Sequence, residues 1–100
     1  MIIERWQAPL IPDKRLIYLL FKREGLEPFE ETLQPNESIS THRHPFDEVR
    51  MILSGELKLD ISGNKLLLRA GDKITIPSNT KHSKTVEAAE PCICICAQKI

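Results

Sequence analysis

The stretch THRHPFDEVRMILSGELKLDISGNK, residues 41–65, decides the architecture of the chain. It holds two runs of strand length, Glu48–Leu53 and Glu56–Ile61, separated by Ser54-Gly55, and neither is long enough for a stable helix. Ser62-Gly63-Asn64-Lys65 follows as a two-residue hairpin signal with Gly63 and Asn64 central, since both residue types enter positive φ at little cost. Outward from there the same punctuation repeats. Ala70-Gly71-Asp72 is a second tight turn, and short runs recur at Leu16–Phe21, Phe29–Leu33, Ser38–His42, Lys65–Arg69, Lys73–Ile76, His82–Val86 and Cys92–Ala97. Short strands with turns about every eight to twelve residues predict an all-β fold, a barrel or sandwich forming a single domain. Pro9 and Pro12 argue against a regular helix before Leu16. Residues 1–15 therefore read as an N-terminal extended arm or edge strand of the domain, and residues 16–100 as its barrel. Trp6 is the arm's large anchor, expected to plug one barrel end or to pack on a neighbouring subunit.

Composition bounds the function. A chain of 100 residues has room for one core and buries roughly 65% of its unfolded surface. Its 14 Lys and Arg balance 14 Asp and Glu, which leaves no net charge to draw it to nucleic acid or to anionic lipid. The apolar runs are a few residues long, far short of the roughly 20 that span a bilayer. Glu4 and Arg5 interrupt the apolar stretch a secretory signal requires. Cys92, Cys94 and Cys96 alternate along one run, where side chains two apart lie about 6.5 to 7 Å from each other with poor disulfide geometry. Reduced thiols and a cytoplasmic location are the expectation.

All three histidines and a well-placed glutamate fall in two short segments. His42 and His44 stand at i and i+2, on one face of an extended strand, and Glu48 keeps their parity across Pro45-Phe46-Asp47. His82 comes 34 residues after Glu48, at the start of a strand that follows Pro77-Ser78-Asn79-Thr80. A divalent transition ion takes neutral imidazole nitrogens and a carboxylate oxygen at about 2.0 to 2.2 Å, so these four side chains suit one ion. Taken alone, His42-Arg43-His44 also fits exposed loop histidines beside a salt-bridging glutamate.

The order of residues is more specific than the pair. His42-x-His44, three residues, Glu48, six residues, Gly55 resembles the first cupin motif, and Gly71, five residues, Pro77, four residues, His82 resembles the second. The resemblance covers Asn36 to Val86, about half of the chain, and implies a small single-domain cupin: a double-stranded β-helix of jelly-roll type. It carries the family's metal ligands onto His42, His44, Glu48 and His82, and with them one divalent transition metal ion, with Fe, Mn, Ni, Cu, Co and Zn all compatible. Three positions depart from the motifs. Asn36 and Asn79 stand where glycines are usual, and asparagine tolerates the left-handed backbone such turns need. Val86 replaces a common asparagine, which weakens inference about substrate while leaving the four ligands intact.

Strand parity from Glu48 places Arg50 and Ile52 on the ligand side and Val49, Met51 and Leu53 on the other. Arg50 is the candidate catalytic residue, orienting an anionic oxygenated substrate beside the ion, or else reaching out of the barrel mouth to a surface acid. The apolar outer face should meet a second sheet or a second subunit, and with Trp6 it predicts a homodimer. Cys92, Cys94 and Cys96 read as small buried hydrophobes, with a thiol stripe toward the cavity as the sharper alternative. Lys22, Arg23, Lys73, Lys81 and Lys84 are scattered among acids like a solvated surface. With every histidine used as a ligand, a serine or cysteine nucleophile has no spare base. Two functions fit: a metal-dependent enzyme of dioxygenase, isomerase, decarboxylase or lyase type acting on a small organic molecule, or a non-catalytic ligand- or metal-binding module.

Overall fold

The computed structural model describes residues 2–6 and 13–100. In chain order its elements are β1 (Ile2–Glu4), α1 (Lys14–Arg23), β2 (Phe29–Leu33), β3 (Ser38–His42), β4 (Asp47–Ser54), β5 (Glu56–Ile61), β6 (Asn64–Arg69), β7 (Lys73–Ile76), β8 (His82–Thr85) and β9 (Cys92–Lys99). One antiparallel sheet has the order β1-β7-β4-β9-β2 and the other β3-β8-β5-β6. Consecutive strands such as β7 and β8 lie in different sheets, the jelly-roll pattern that folds two sheets over one core. That core holds Ile52, Leu57, Leu59, Leu68, Ile74, Ile76, Val86, Cys92, Cys94 and Cys96, drawn from both sheets. The cysteines are buried and unpaired, which matches their reading as small core hydrophobes.

Most strand limits lie where turn residues put them, and two expectations need correction. The β5–β6 turn is Ser62-Gly63, with φ of 50° and 90°, because Ile61 pairs with Asn64; the expected centre, Gly63-Asn64, is one residue late. The register follows the core face, which buries Leu57, Leu59 and Ile61 and so sets where the hairpin closes. The second correction is larger. Leu16–Phe21, expected as a strand, lies within α1. Asp13 caps the helix by accepting from the Leu16 N–H at 2.8 Å, Lys22 and Arg23 occupy the last turn, and Gly25 follows at φ 79°. A continuous apolar run has no distinguishing period, so only the flanking caps separated helix from strand.

Helix α1 buries Ile17 and Phe21, one turn apart, on Val49, Met51, Ile95 and Ala97. Each of these two side chains contributes about 2 to 3 kcal/mol by leaving water. The outer face of β4 is thus covered by the chain's own helix, where a second sheet or subunit was expected. Trp6 packs on the same outer layer and its main-chain N–H donates to Asp72 Oδ1 at 3.1 Å. The chain begins with β1, an edge strand paired with β7, and Pro9 and Pro12 lie outside the described residues. Asn36 and Asn79 adopt φ of 66° and 59°, the left-handed turns for which they stand in place of glycine. Among the described residues no helix is long and apolar enough to cross a membrane.

Candidate functional site

Strands β3, β4 and β8 deliver the site. His42 ends β3 and pairs directly with His82 at the start of β8, after an irregularity in register that follows Ile39. Glu48 and Arg50 come from β4 in the opposite sheet, so the site closes between the two sheets. His44 lies beyond the end of β3, in the connection to β4, and therefore reaches the others by a turn, not by the strand parity expected of it. His42, His44, Glu48 and His82 each offer one donor atom, and all four atoms lie within 4.8 Å of one another. Pairing β3 with β8 closes the 40 residues between His42 and His82, and the fold of one sheet over the other brings in Glu48.

Hydrogen bonds set the tautomers. Nδ1 of His42 is 2.7 Å from the Ser40 carbonyl and Nδ1 of His82 is 2.9 Å from the Thr80 carbonyl. A carbonyl only accepts, so each Nδ1 carries the proton and each Nε2 turns a lone pair inward. His42 Nε2 stands 3.0 Å from His44 Nε2, which stands 3.1 Å from Glu48 Oε1. His82 is 1% exposed, and its Nε2 has no hydrogen-bond partner. Electron-rich atoms thus converge with at most the proton of His44 Nε2 to separate them. Two donors at right angles around a transition ion at about 2.1 Å are about 3.0 Å apart, the spacing found here. The orphaned His82 nitrogen and the donor set therefore fit a metal ion. Phe46 stacks on the His44 ring with centroids 4.8 Å apart and fixes its plane.

Burial lowers the pKa of His44 against the opposing pull of Glu48, and burial likewise lowers that of His82, which keeps both imidazoles neutral as ligands must be. For Glu48, burial would raise the pKa, yet Arg50 and Lys84 outweigh it and bring the group down to about 2. Glu48 Oε2 accepts from Arg50 Nε at 3.1 Å and faces Lys84 Nζ at 2.9 Å; Lys84 Nζ also donates to Oε1 at 3.1 Å. Arg50 is 3% exposed and directed into the barrel. Its Nη1 stands 2.8 Å from Glu31 Oε1, an ion pair too poorly aligned for a hydrogen bond. Burial raises the Cys96 thiol to about 12, so at neutral pH it stays protonated at the cavity wall.

Lys84 is the residue that sequence reasoning missed. It was assigned to the solvated surface, but only 3% of it is exposed. The signal was present: Lys84 has the parity of His82 and Val86, so a strand that points His82 inward must point Lys84 inward as well. Lys73 is also more enclosed than expected, paired with Glu24 at 2.7 Å and set over the Phe21 ring. Lys22, Arg23 and Lys81 are exposed. Beside the cluster lies a cavity of about 260 Å³ lined by Phe29, Ile39, Phe46, Arg50, Lys84 and Cys96, among others. Its size is below the roughly 300 to 1,000 Å³ of drug-sized ligand sites and so suits a small molecule.

Comparison with known proteins bears on the fold and the family. Polyketide synthase CurC of Streptomyces cyaneus is 35% identical over 51 residues, which cover 50% of this chain and 33% of that protein. Among solved structures, the polyketide cyclase RemF from Streptomyces resistomycificus superposes with a TM-score of 0.64 at 22% identity, covering 73% of this chain and 54% of that one. The DMSP lyase DddQ from Ruegeria pomeroyi DSS-3 gives 0.68 at 22% identity, covering 75% of this chain and 38% of that one. The chain spans about a third of the length of CurC. These two structural likenesses show the fold alone. The family model for the cupin domain matches residues 29–97, from the start of β2 to within β9 and across every residue of the cluster, and with the two-sheet barrel around it this chain belongs to the cupin family.

Proposed function

We propose that the chain is a metal-dependent cupin enzyme acting on a small anionic or oxygenated organic molecule, with one divalent transition ion held by His42, His44, Glu48 and His82. The observation that carries this reading is the buried, unpartnered Nε2 of His82, aimed at His42, His44 and Glu48 with its proton committed to the Thr80 carbonyl on the other side. An ion bound there supplies Lewis acidity or redox capacity to an oxygen of the ligand. Arg50 orients an anionic substrate group. Support comes from its burial, its place on the cavity wall and an Nη1 that makes no aligned hydrogen bond. Phe29, Ile39 and Phe46 keep the adjoining wall apolar and limit water around the ligand.

The printed identity of CurC as a polyketide synthase, and of RemF as a polyketide cyclase, favours poly-oxygenated carbon skeletons among candidate substrates. The non-catalytic binding module draws support from a different observation. Arg50 and Lys84 are already paired with Glu48, and Glu31, the other carboxylate on the cavity wall, stands against Arg50 at 2.8 Å, so the charged groups lining the cavity are matched to one another. Elemental analysis of protein purified without added metal, followed by a turnover screen of small diketones, hydroxy acids and catechols, separates the two. Stoichiometric metal with turnover supports the enzyme, whereas ligand binding without turnover supports the module. In Arg50→Met, weaker binding of anionic ligands with metal content kept supports the role given to Arg50. Unchanged affinity removes it.

A homodimer, a cytoplasmic location and a single domain with residues 1–15 as the arm of a barrel over 16–100 belong to the same proposal. Leu16, Leu19 at 54% exposure and Leu20 on α1 support self-association. Three buried thiols without a disulfide support a reducing compartment. Light scattering that gives a mass near 11.4 kDa at micromolar concentration overturns the dimer.

A further inference from the structure

We propose that Lys84 is an internal competitor for the metal ion, a built-in cation that sets both the strength and the selectivity of metal binding. This rests on the reading of the His42, His44, Glu48 and His82 cluster as a metal site. Lys84 reaches into the barrel from β8, two residues after His82, and its Nζ touches both oxygens of Glu48, at 2.9 and 3.1 Å. Oε2 is fully engaged by Lys84 and Arg50. Oε1 faces His44 Nε2 at 3.1 Å and His82 Nε2 at 3.5 Å, so it is the oxygen directed at the cluster, and Lys84 contests it.

The charge balance gives this contact its effect. Two carboxylates, buried Glu48 and half-buried Glu31, face two buried cations, Lys84 against Glu48 and Arg50 against both. An ion arriving at the three imidazoles therefore meets a carboxylate whose charge is already matched, and also a fixed positive charge a few ångströms away. In a partly buried site that repulsion is screened far less than in water. Metals that gain most from imidazole nitrogen, such as cobalt, nickel, copper and zinc, tolerate the loss of carboxylate charge. Manganese, which favours oxygen donors, does not. Lys84 thereby biases the site against manganese and keeps its affinity for the nitrogen-preferring ions moderate.

The test uses metal-free full-length protein titrated with cobalt(II), read by visible absorbance, and with manganese(II), read by electron paramagnetic resonance of the free ion. Lys84→Met and Lys84→Gln remove the charge, and Lys84→Arg keeps it. Both neutral variants should bind manganese at least about tenfold more tightly than wild type, with a smaller gain for cobalt, while Lys84→Arg stays close to wild type. Unchanged or weaker manganese binding in both neutral variants overturns the proposal. Loss of the folded near-ultraviolet circular dichroism in both overturns it too, since Lys84 would then be a structural counter-charge to Glu48. If wild type binds neither metal, the metal site itself is refuted, an outcome distinct from a wild type that binds and neutral variants that do not differ from it.

Discussion

Replacing Glu48 by Gln in the metal-free protein should destabilise the fold by about 3 kcal/mol at pH 7, and the deficit should disappear in acid. The side chain is 8% exposed and its carboxylate is held by Arg50 and Lys84 at 2.9 to 3.1 Å. Between its ordinary value of 4.5 and the value of about 2 in the folded chain lies a linkage free energy of about 3 kcal/mol. Breaking one side of a buried ion pair independently leads to a cost of about 3 to 5 kcal/mol, because Arg50 and Lys84 stay buried without their acceptor. The sign follows from a folded value below the unfolded one. Protons bind the unfolded carboxylate first, so the stabilisation is complete above about pH 5 and drains away as pH falls from there toward 2. The glutamine variant has no such group, so its gap to wild type should shrink to a little under half by about pH 3 and close only near pH 2. Urea unfolding at pH 7, 5, 4 and 3, followed by the fluorescence of Trp6, gives both curves. A gap below about 1 kcal/mol at pH 7, or an equal gap at pH 3 and pH 7, would show that Arg50 and Lys84 do not hold the carboxylate as the distances imply.

Other perturbations test the remaining parts of the molecule. His44→Ala should cut metal stoichiometry sharply, and since burial lowers the His44 and His82 values, wild type should release metal only as pH falls below the ordinary imidazole value of 6.5; full stoichiometry in the variant, or metal loss already above pH 6.5, contradicts the ligand set. Gly55→Ala should cost about 2 kcal/mol or more in urea titration, since Gly55 sits at φ 83° and an added Cβ would meet the Pro91 carbonyl and lie 2.9 Å from Cys92 Cα; wild-type stability there would mean that the backbone yields freely. Leu57→Ala empties a fully buried core position and should lower stability by about 2 to 5 kcal/mol with m unchanged.

Much of this protein is determined by its sequence alone. Short runs between glycines, prolines and asparagines cannot become long helices, so an all-β barrel or sandwich follows from local chemistry, and a side-chain period of two places Arg50 inside once Glu48 is inside. The order of His42, His44, Glu48 and His82 resembles the two cupin motifs, and it is that resemblance that implies a metal-ligand set. Tertiary structure decides the rest. Residues Leu16–Phe21 carry no period that tells helix from strand, and they become α1 because Asp13 caps them and the outer face of β4 and β9 offers Ile17 and Phe21 a place to bury. The hairpin closes at Ser62-Gly63 because the core selects the register of β5 and β6. Lys84 illustrates the limit most directly. Its parity was legible, but a lysine belongs in water unless a carboxylate waits inside, and whether Glu48 on β4 lies opposite β8 is settled only when the two sheets fold over each other.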